Sequence, residues 1–377
     1  MRFRPFEMER WQSLWENRVR YNLSESGVSP FSLSELSELT GADPAGTVLG
    51  YGHTEGSPLL RERIAALYPG ATPEEVLVTS GSAEANFVAC WSLIEAGDRV
   101  VIVTPTYGQT PGLAESLGAE VVELPLEEDR GWQPAPGAAA SAIGPGTRLV
   151  VITNPNNPTG AVLTPSSMAE IIEAAERAGA LILADEVYRG AELAGPETES
   201  LWGGARRVIV TASLSKAYGL PGLRIGWLVA DRGFRDEVWA RKDYTTITPS
   251  VLCDRLATAA LETENRAKIL ARTREILVRH LSILDAWAAA HAEVLRYRPP
   301  DAGAIALFGY DLPVGSAELA ERLKGERDTL LVPGIHFGLE GHFRVGFGYS
   351  EEQLRGGLEA LSSLLSELTE TRIASSP

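Results

Sequence analysis

Short runs of apolar, β-branched residues punctuate the middle of the chain, separated by stretches of helical character. The runs are Val76–Thr79, Val100–Val103, Val121–Leu124, Leu149–Thr153, Leu181–Ala184, Val208–Thr211 and Ile225–Val229. Several are continuously apolar instead of alternating with polar residues. That pattern predicts strands covered on both faces, as in a mostly parallel sheet. Between them, Ser82–Glu95 and Ser166–Ala178 read as helices. Strand, helix and strand in repetition predict an α/β architecture: a mostly parallel, seven-stranded sheet flanked by helices.

The pattern changes after about residue 255. Arg255–His291 is a long helical stretch rich in Leu, Ala, Arg and Glu. Beyond it lie two strand candidates, Ala304–Tyr310 and Phe343–Phe347, and an amphipathic helix over Ser350–Leu368. We therefore expect a large domain over 45–275 and a smaller α+β domain over 276–377. Residues 1–44 are expected to be an N-terminal arm contributing to the small domain. Glu128–Gly146 and Ala191–Gly204, rich in Pro, Gly and Ala, read as surface connections.

Four segments carry candidate chemistry, each directly after an apolar run. TASLSKAYGLPGLRIGW (Thr211–Trp227) places Lys216 among Ser213 and Ser215, with Arg224 eight residues on. Hydroxyls and a guanidinium around one lysine make a phosphate pocket beside an amine. LILADEVYRG (Leu181–Gly190) puts Asp185 at a strand end, where ligand crevices of open α/β sheets lie. Tyr188 follows three residues later. TSGSAEA (Thr79–Ala85) opens a helix with small residues, a setting for an anion on backbone N–H groups. NPNNPTG (Asn154–Gly160) taken alone is an Asn/Pro turn.

Together and in this order, VTSGSAEA, PTYG, NPNNPTG, ADEVYRG, SLSKAYGLPGLRIGW and FRVGF resemble the fold-type I pyridoxal-phosphate (PLP) enzymes of the class I/II aminotransferase family. The resemblance runs from about Tyr21 to Leu364 and implies roles residue by residue. Lys216 matches the lysine that forms a Schiff base with the cofactor and then moves protons. Asp185 matches the partner of the pyridine nitrogen, Tyr107 the ring stacked on the pyridine, and Tyr188 and Asn157 the groups that bind its phenolic oxygen. Gly81, Ser82, Ala83, Ser213, Ser215 and Arg224 match the phosphate cradle. Tyr51 matches a tyrosine that reaches the partner subunit's phosphate, which implies a homodimer with shared active sites. Arg344, with Asn157 and Gly27, matches the binding site of the substrate α-carboxylate.

The resemblance thus implies an aminotransferase that moves the amino group of an α-amino acid to a 2-oxo acid through pyridoxamine phosphate. LSESGV, RKDYTTITPS and LLVPGIHFG are similar to a bacterial subgroup that includes capreomycidine synthase, a PLP cyclase. A lyase, cyclase or oxidase acting on an arginine-like amino acid is therefore the alternative expectation. ADEVYRG and NPNNPTG follow the ordinary aminotransferase pattern and favour transamination. For the side-chain pocket, Trp11, Trp15, Phe31, His53, Thr54 and Phe308 are candidate walls. Glu25 could meet a cationic substrate, but reads more simply as an exposed glutamate. Phe6–Tyr21 reads as either an arm over the site or an ordinary amphipathic helix.

Composition narrows the field further. The 377 residues carry a net charge of −16, against a nucleic-acid partner or an anionic membrane surface. The same charge, and an enzyme pattern that starts by about residue 21, disfavour a non-catalytic effector-binding module of a transcription regulator. Two cysteines, Cys90 and Cys253, do not make a disulfide framework and point to a reducing, cytoplasmic setting. The five histidines are scattered without ligand spacing, so no metal is expected. The N-terminal MRFRPFEMERW has no apolar run of the secretory kind.

Overall fold

A computed structural model describes residues 3–375. Met1 and Arg2 of the N-terminal segment and Ser376 and Pro377 of the tail lie outside the described residues. All seven expected apolar runs form strands of one sheet: β2 (Val76–Thr79), β3 (Arg99–Thr104), β4 (Glu120–Glu127), β6 (Thr147–Thr153), β7 (Leu181–Asp185), β8 (Val208–Ser213) and β9 (Gly226–Val229). A two-residue strand, β5 (Gln133–Pro134), adds an eighth, and the order is β2-β9-β8-β7-β6-β3-β4-β5. The strands from β8 to β4 run parallel; β9 is antiparallel to both its neighbours, and β5 to β4.

The continuous apolar runs have a direct cause. Successive side chains of a strand point to opposite faces. Val101, Val103, Val150, Ile152, Ile182 and Val210 enter the core on one face. Val100, Ile102, Leu149, Val151, Leu183 and Ile209 enter a second core on the other. Both faces are covered, so neither parity can be polar.

Chain direction across the sheet reverses between β3 and β6, because β4 lies outside β3 while β6, β7 and β8 follow on its other side. Such a switch point opens a crevice at the carboxyl ends of the strands. The loops after β3 and β6 meet there, with Thr106 Oγ1 and Thr153 Oγ1 at 3.3 Å.

The helical stretch after residue 255 is two helices, Val251–Ala260 and Thr263–Ala290. The longer buries Ile269, Thr273, Leu277, His280, Leu284 and Ala288, a stripe at spacings of three and four. The smaller unit holds an antiparallel sheet of β10 (Leu295–Tyr297), β11 (Ile305–Tyr310), β14 (His342–Gly346) and β13 (Val332–Pro333), and the helix Glu351–Ser375. The N-terminal strand β1 (Tyr21–Asn22) pairs in parallel with β12 (Thr329–Leu330) of this unit. The segment Glu128–Gly146, expected as a plain connection, contains β5 and a short helix, Ala138–Ala142.

Candidate active site

At the carboxyl end of β2 the chain turns through Gly81 into the helix Ser82–Leu93. Gly81 has φ +80°, and a Cβ there would meet the Arg224 Nη2 at 2.3 Å. A Cβ on Gly226, the first residue of β9, would fall 2.3 Å from the Gly81 carbonyl carbon. Two glycines thus let two backbones and a guanidinium converge. The helix start has no side-chain cap. Its first N–H groups are available to an anion, with the helix dipole behind them. Arg224 Nη1 donates to the Ser215 hydroxyl at 3.4 Å and Nη2 to the Ser80 carbonyl at 3.3 Å. Glu84 accepts the Ser80 N–H at 2.5 Å and the Thr246 hydroxyl at 2.7 Å, which pins the turn from below.

Three strands further in, Asp185 ends β7. Its carboxylate accepts from Asn86 Nδ2 at 2.8 Å and from the Val187 N–H at 3.1 Å. Asn86 is itself oriented by the Thr211 hydroxyl at 2.7 Å. Burial pushes the Asp185 carboxyl up to about 6, against the pull of its two donors. It has no ion-pair partner among the described residues, an arrangement that suits a cationic N–H of a ligand.

Lys216 follows β8. Its Nζ lies 3.0 Å from Glu25 Oε1, which also accepts the N–H groups of Ser26 and Gly27 at 2.9 Å. Burial pulls Lys216 down, but Glu25 and Tyr188 together outweigh it and hold the amine above its ordinary value. Burial likewise pushes Glu25 up, and Lys216 with the two N–H groups brings it below the usual carboxylate range. The expectation of an exposed Glu25 is thus corrected. Gly27 sits against the Lys216 side chain, where a Cβ would be 3.7 Å from its Cδ.

A buried chain of polar groups continues from the lysine. Asn157 donates to the Tyr188 hydroxyl at 3.1 Å and accepts from Arg344 Nη1 at 2.9 Å. Arg344, on β14, is fully buried; its Nη2 donates to the Ser24 carbonyl at 2.5 Å and its Nε has no partner. Burial lowers its pKa. Among the described residues no carboxylate is ion-paired to it, and a buried guanidinium in that state is costly unless a ligand supplies one.

These groups surround a cavity of about 320 Å³. It brings together Ser82, Ala83, Tyr107, Asn157, Asp185, Tyr188, Ser215, Lys216 and Arg224. A larger groove of about 710 Å³ beside the helix Thr263–Ala290 contains none of the sequence-predicted residues. Ser213 differs from expectation: its buried hydroxyl accepts the Ser215 N–H at 3.2 Å and so shapes the turn instead of lining the cavity. Tyr51 is 90% exposed and lies outside this cavity.

The remaining wall comes from the N-terminal helix α1 (Glu7–Trp15). Met8, Glu9, Gln12 and, just beyond its end, Glu16 face the cavity. Positions 8, 12 and 16 share one helical face, and Trp11 and Trp15 fall on another. The wall candidates Trp11, Trp15, Phe31, His53, Thr54 and Phe308 are all elsewhere. Trp11 Nε1 donates to the Leu331 carbonyl at 2.8 Å, and Trp15 lies under Lys324. Phe31 lies under Arg272, Thr54 accepts from Trp239, Phe308 is buried in the small sheet and His53 is exposed. Helix α1 is fixed by Gln12 Nε2 donating to the Ser24 carbonyl at 2.8 Å and by Tyr107 donating to Glu9 at 2.7 Å. Asn86, Glu9, Gln12 and Glu16 are the site residues that sequence reasoning missed. Asn86 lies one helical turn after Ser82, and Glu9, Gln12 and Glu16 fall within the stretch Phe6–Tyr21 that the sequence offers as an arm over the site.

The donor set fits pyridoxal phosphate. An uncapped helix start with Arg224 and Ser215 suits a dianionic phosphate, and the buried carboxylate of Asp185 suits a protonated ring nitrogen. Tyr188 and Asn157 can hold a phenolic oxygen, and Lys216 supplies the amine for an aldehyde.

Comparison with known proteins agrees. The family model for aminotransferase class I and II matches residues 18–361. Capreomycidine synthase of Streptomyces vinaceus is 32% identical over 95% of this chain and 93% of its own length. A PLP-dependent aminotransferase from Streptococcus suis superposes with a TM-score of 0.91 at 36% identity, covering 98% of this chain and 99% of that one. The PLP-dependent cyclase OrfR superposes with a TM-score of 0.89 at 30% identity over 97% and 98%.

Proposed function

The chain belongs to the aminotransferase class I and II family, has its fold-type I architecture and takes pyridoxal 5′-phosphate, and from that premise we propose that it transfers the amino group of an α-amino acid to a 2-oxo acid. The observation that carries the reading is the Arg344–Asn157–Tyr188 chain, which sets a buried guanidinium, with no carboxylate ion-paired to it among the described residues, in one polar network with the cofactor-side groups.

The cofactor supplies an aldehyde that accepts an amine and a ring that withdraws electrons from it. The rest is the work of the chain. Ser82 and Ala83 N–H groups, Ser215 and Arg224 would hold the phosphate. Asp185, oriented by Asn86, would keep a proton on the ring nitrogen. Tyr107 would cover one ring face, with its hydroxyl fixed by Glu9. Arg344 would grip the α-carboxylate in a fork, which orients the substrate Cα towards Lys216. Lys216 Nζ would take the Cα proton and redeliver it on the other side of the C–N linkage. Helix α1 would exclude water over the site.

The chain would act as a homodimer. The exposed run Val48, Leu49 and Tyr51 is apolar and supports contact with a second copy, in which Tyr51 would reach the partner's phosphate. Cys90 and Cys253 are unpaired, in keeping with a reducing cytoplasm.

A second reading, a PLP-dependent lyase or cyclase, is favoured by the likeness to capreomycidine synthase and OrfR. A half-reaction separates the two. The loaded protein is mixed with a panel of amino acids and no 2-oxo acid, and the cofactor absorbance is followed. Transfer gives one lasting conversion per site, reversed by adding a 2-oxo acid. Repeated turnover without lasting conversion supports the second reading.

A further inference from the structure

The stretch RKDYTTITPS (Arg241–Ser250) has no part in the chemistry described so far. It leaves the helix Arg232–Lys242 and crosses the surface, with Tyr244 82% and Ile247 45% exposed. A surface turn ordinarily needs little more than water and its own backbone. This one is gripped from inside by two buried charges. Glu84 accepts the hydroxyls of Thr245 and Thr246, the latter at 2.7 Å, and the Thr246 N–H at 3.2 Å. Lys242 Nζ donates to the Ile247 carbonyl at 2.7 Å and to the Thr54 carbonyl at 3.2 Å. Lys242 forms no ion pair among the described residues, and an ammonium buried against main-chain carbonyls alone is costly. Ile247 adds to the strain, as a β-branched residue held at φ +61°.

Both charges lead to the phosphate turn. The Glu84 carboxylate also accepts the Ser80 N–H at 2.5 Å, and the Ser80 carbonyl accepts from Arg224. The turn is therefore closed by Arg224 on one side and by Glu84 on the other. A carboxylate in the first turn of a helix suits the helix dipole but repels a dianion bound at the helix start. Lys242 offsets that repulsion. Burial lowers its pKa and Glu84 acts against the shift, which places the two charges within range of each other. The path from Ser80 runs through Glu84 to Thr246, along the chain to Ile247, and through Lys242 to Thr54, in the loop that carries Tyr51.

We propose that Glu84 and Lys242 are positioning residues for the cofactor phosphate: through Thr245–Ile247 they hold the Ser80–Ser82 turn in the shape that aims its N–H groups at the anion. This rests on the reading of that turn as the phosphate cradle. Neither side chain lines the cavity, so their effect falls on affinity for the phosphate end and not on the chemistry at Lys216.

The test is a titration of the cofactor-free full chain with pyridoxal 5′-phosphate and, separately, with pyridoxal, which keeps the ring and aldehyde and lacks the phosphate. Absorbance reports binding, and the wild type should prefer the phosphorylated form. Glu84→Ala should raise the dissociation constant for pyridoxal 5′-phosphate about tenfold, while that for pyridoxal moves by less than about twofold. Glu84→Gln keeps an acceptor for the Ser80 N–H and should recover most of the loss. Lys242→Met should weaken the phosphorylated form several-fold. Combined with Glu84→Ala it should cost less than the product of the two losses, because the residues act as one unit. Thr246→Val, at the surface, serves where a buried substitution fails to fold, and should lose about threefold with the same selectivity. Equal weakening for both ligands marks a merely structural role, and unchanged affinity for both removes the residues from the cradle; either result overturns the proposal. A wild type that binds both ligands alike overturns the phosphate cradle itself, and the proposal with it.

Discussion

The two halves of the cavity are built on different principles. The cofactor half stands on the carboxyl ends of β2, β7 and β8 and on the start of the helix Ser82–Leu93. β7 and β8 are inner strands of a sheet buried on both faces and β2 is its fully buried edge, and the polar groups there have fixed neighbours: Asn86 for Asp185, Ser215 for Arg224, Glu84 for the Ser80 N–H. The half proposed for the substrate is one short helix and one turn, tied down by Trp11, Gln12 and Tyr107, with Arg344 of β14 behind them. Chemistry common to a family suits the rigid half. Choice of substrate suits the half that can change without disturbing the sheet.

The comparison makes graded expectations. Lys216→Ala should have the largest effect, a loss of at least about 10³-fold in turnover for every donor. Turnover that survives would remove the lysine from the mechanism. Arg344→Ala should raise KM for all amino acids by about 10²-fold or more, through the loss of a charge-assisted fork. Arg344→Lys should recover part of it, since an ammonium cannot match the bidentate geometry. Because the core carboxylate is common to all donors, their rank order should not change; a changed order would break the division between the halves.

Asp185 offers an expectation with a sign. Burial raises its carboxyl from an ordinary value of about 4 in the unfolded chain to about 6 in the fold. The folded state binds that proton more tightly, so the contribution favours folding fully below about pH 4 and is lost as pH rises through about 6. Asp185→Asn should therefore stabilise the cofactor-free protein relative to the wild type at pH 8, by on the order of 2 kcal/mol, and much less at pH 4. Urea unfolding at the two pH values measures it. The same variant should weaken cofactor retention, since the neutral amide cannot pair with a protonated ring nitrogen. The smallest effect belongs to Trp11→Phe, which keeps the packing and loses the bond to Leu331. It should cost about 1 kcal/mol in the docking of α1, seen as a few-fold rise in donor KM with cofactor affinity unchanged.

The same division governs what could be read from the sequence. Most of the strand runs are legible because both faces are buried, leaving a continuous apolar signature; β4, part-exposed along its length, keeps a glutamate within its run. The resemblance points to Lys216, Asp185 and Arg344; the structure puts Lys216 and Asp185 on the cavity and Arg344 behind its Asn157 wall. The edge strand β5 was not, since two residues show no periodicity. Glu25 was misread as exposed because its burial depends on Lys216, 191 residues away. The tryptophans of α1 read as wall because they are large apolar residues of that stretch. The helix turns them to Leu331 and Lys324, and Met8, Glu9, Gln12 and Glu16 line the cavity.

The central claim, transfer of an amino group, is tested most directly by following the nitrogen. The loaded protein is given a nitrogen-labelled amino acid that it binds, together with an unlabelled 2-oxo acid, and the products are analysed by mass spectrometry. The account expects the label in the amino acid formed from the 2-oxo acid, with the donor recovered as its own 2-oxo acid. Label released as ammonia, or retained in a cyclised donor, would contradict it.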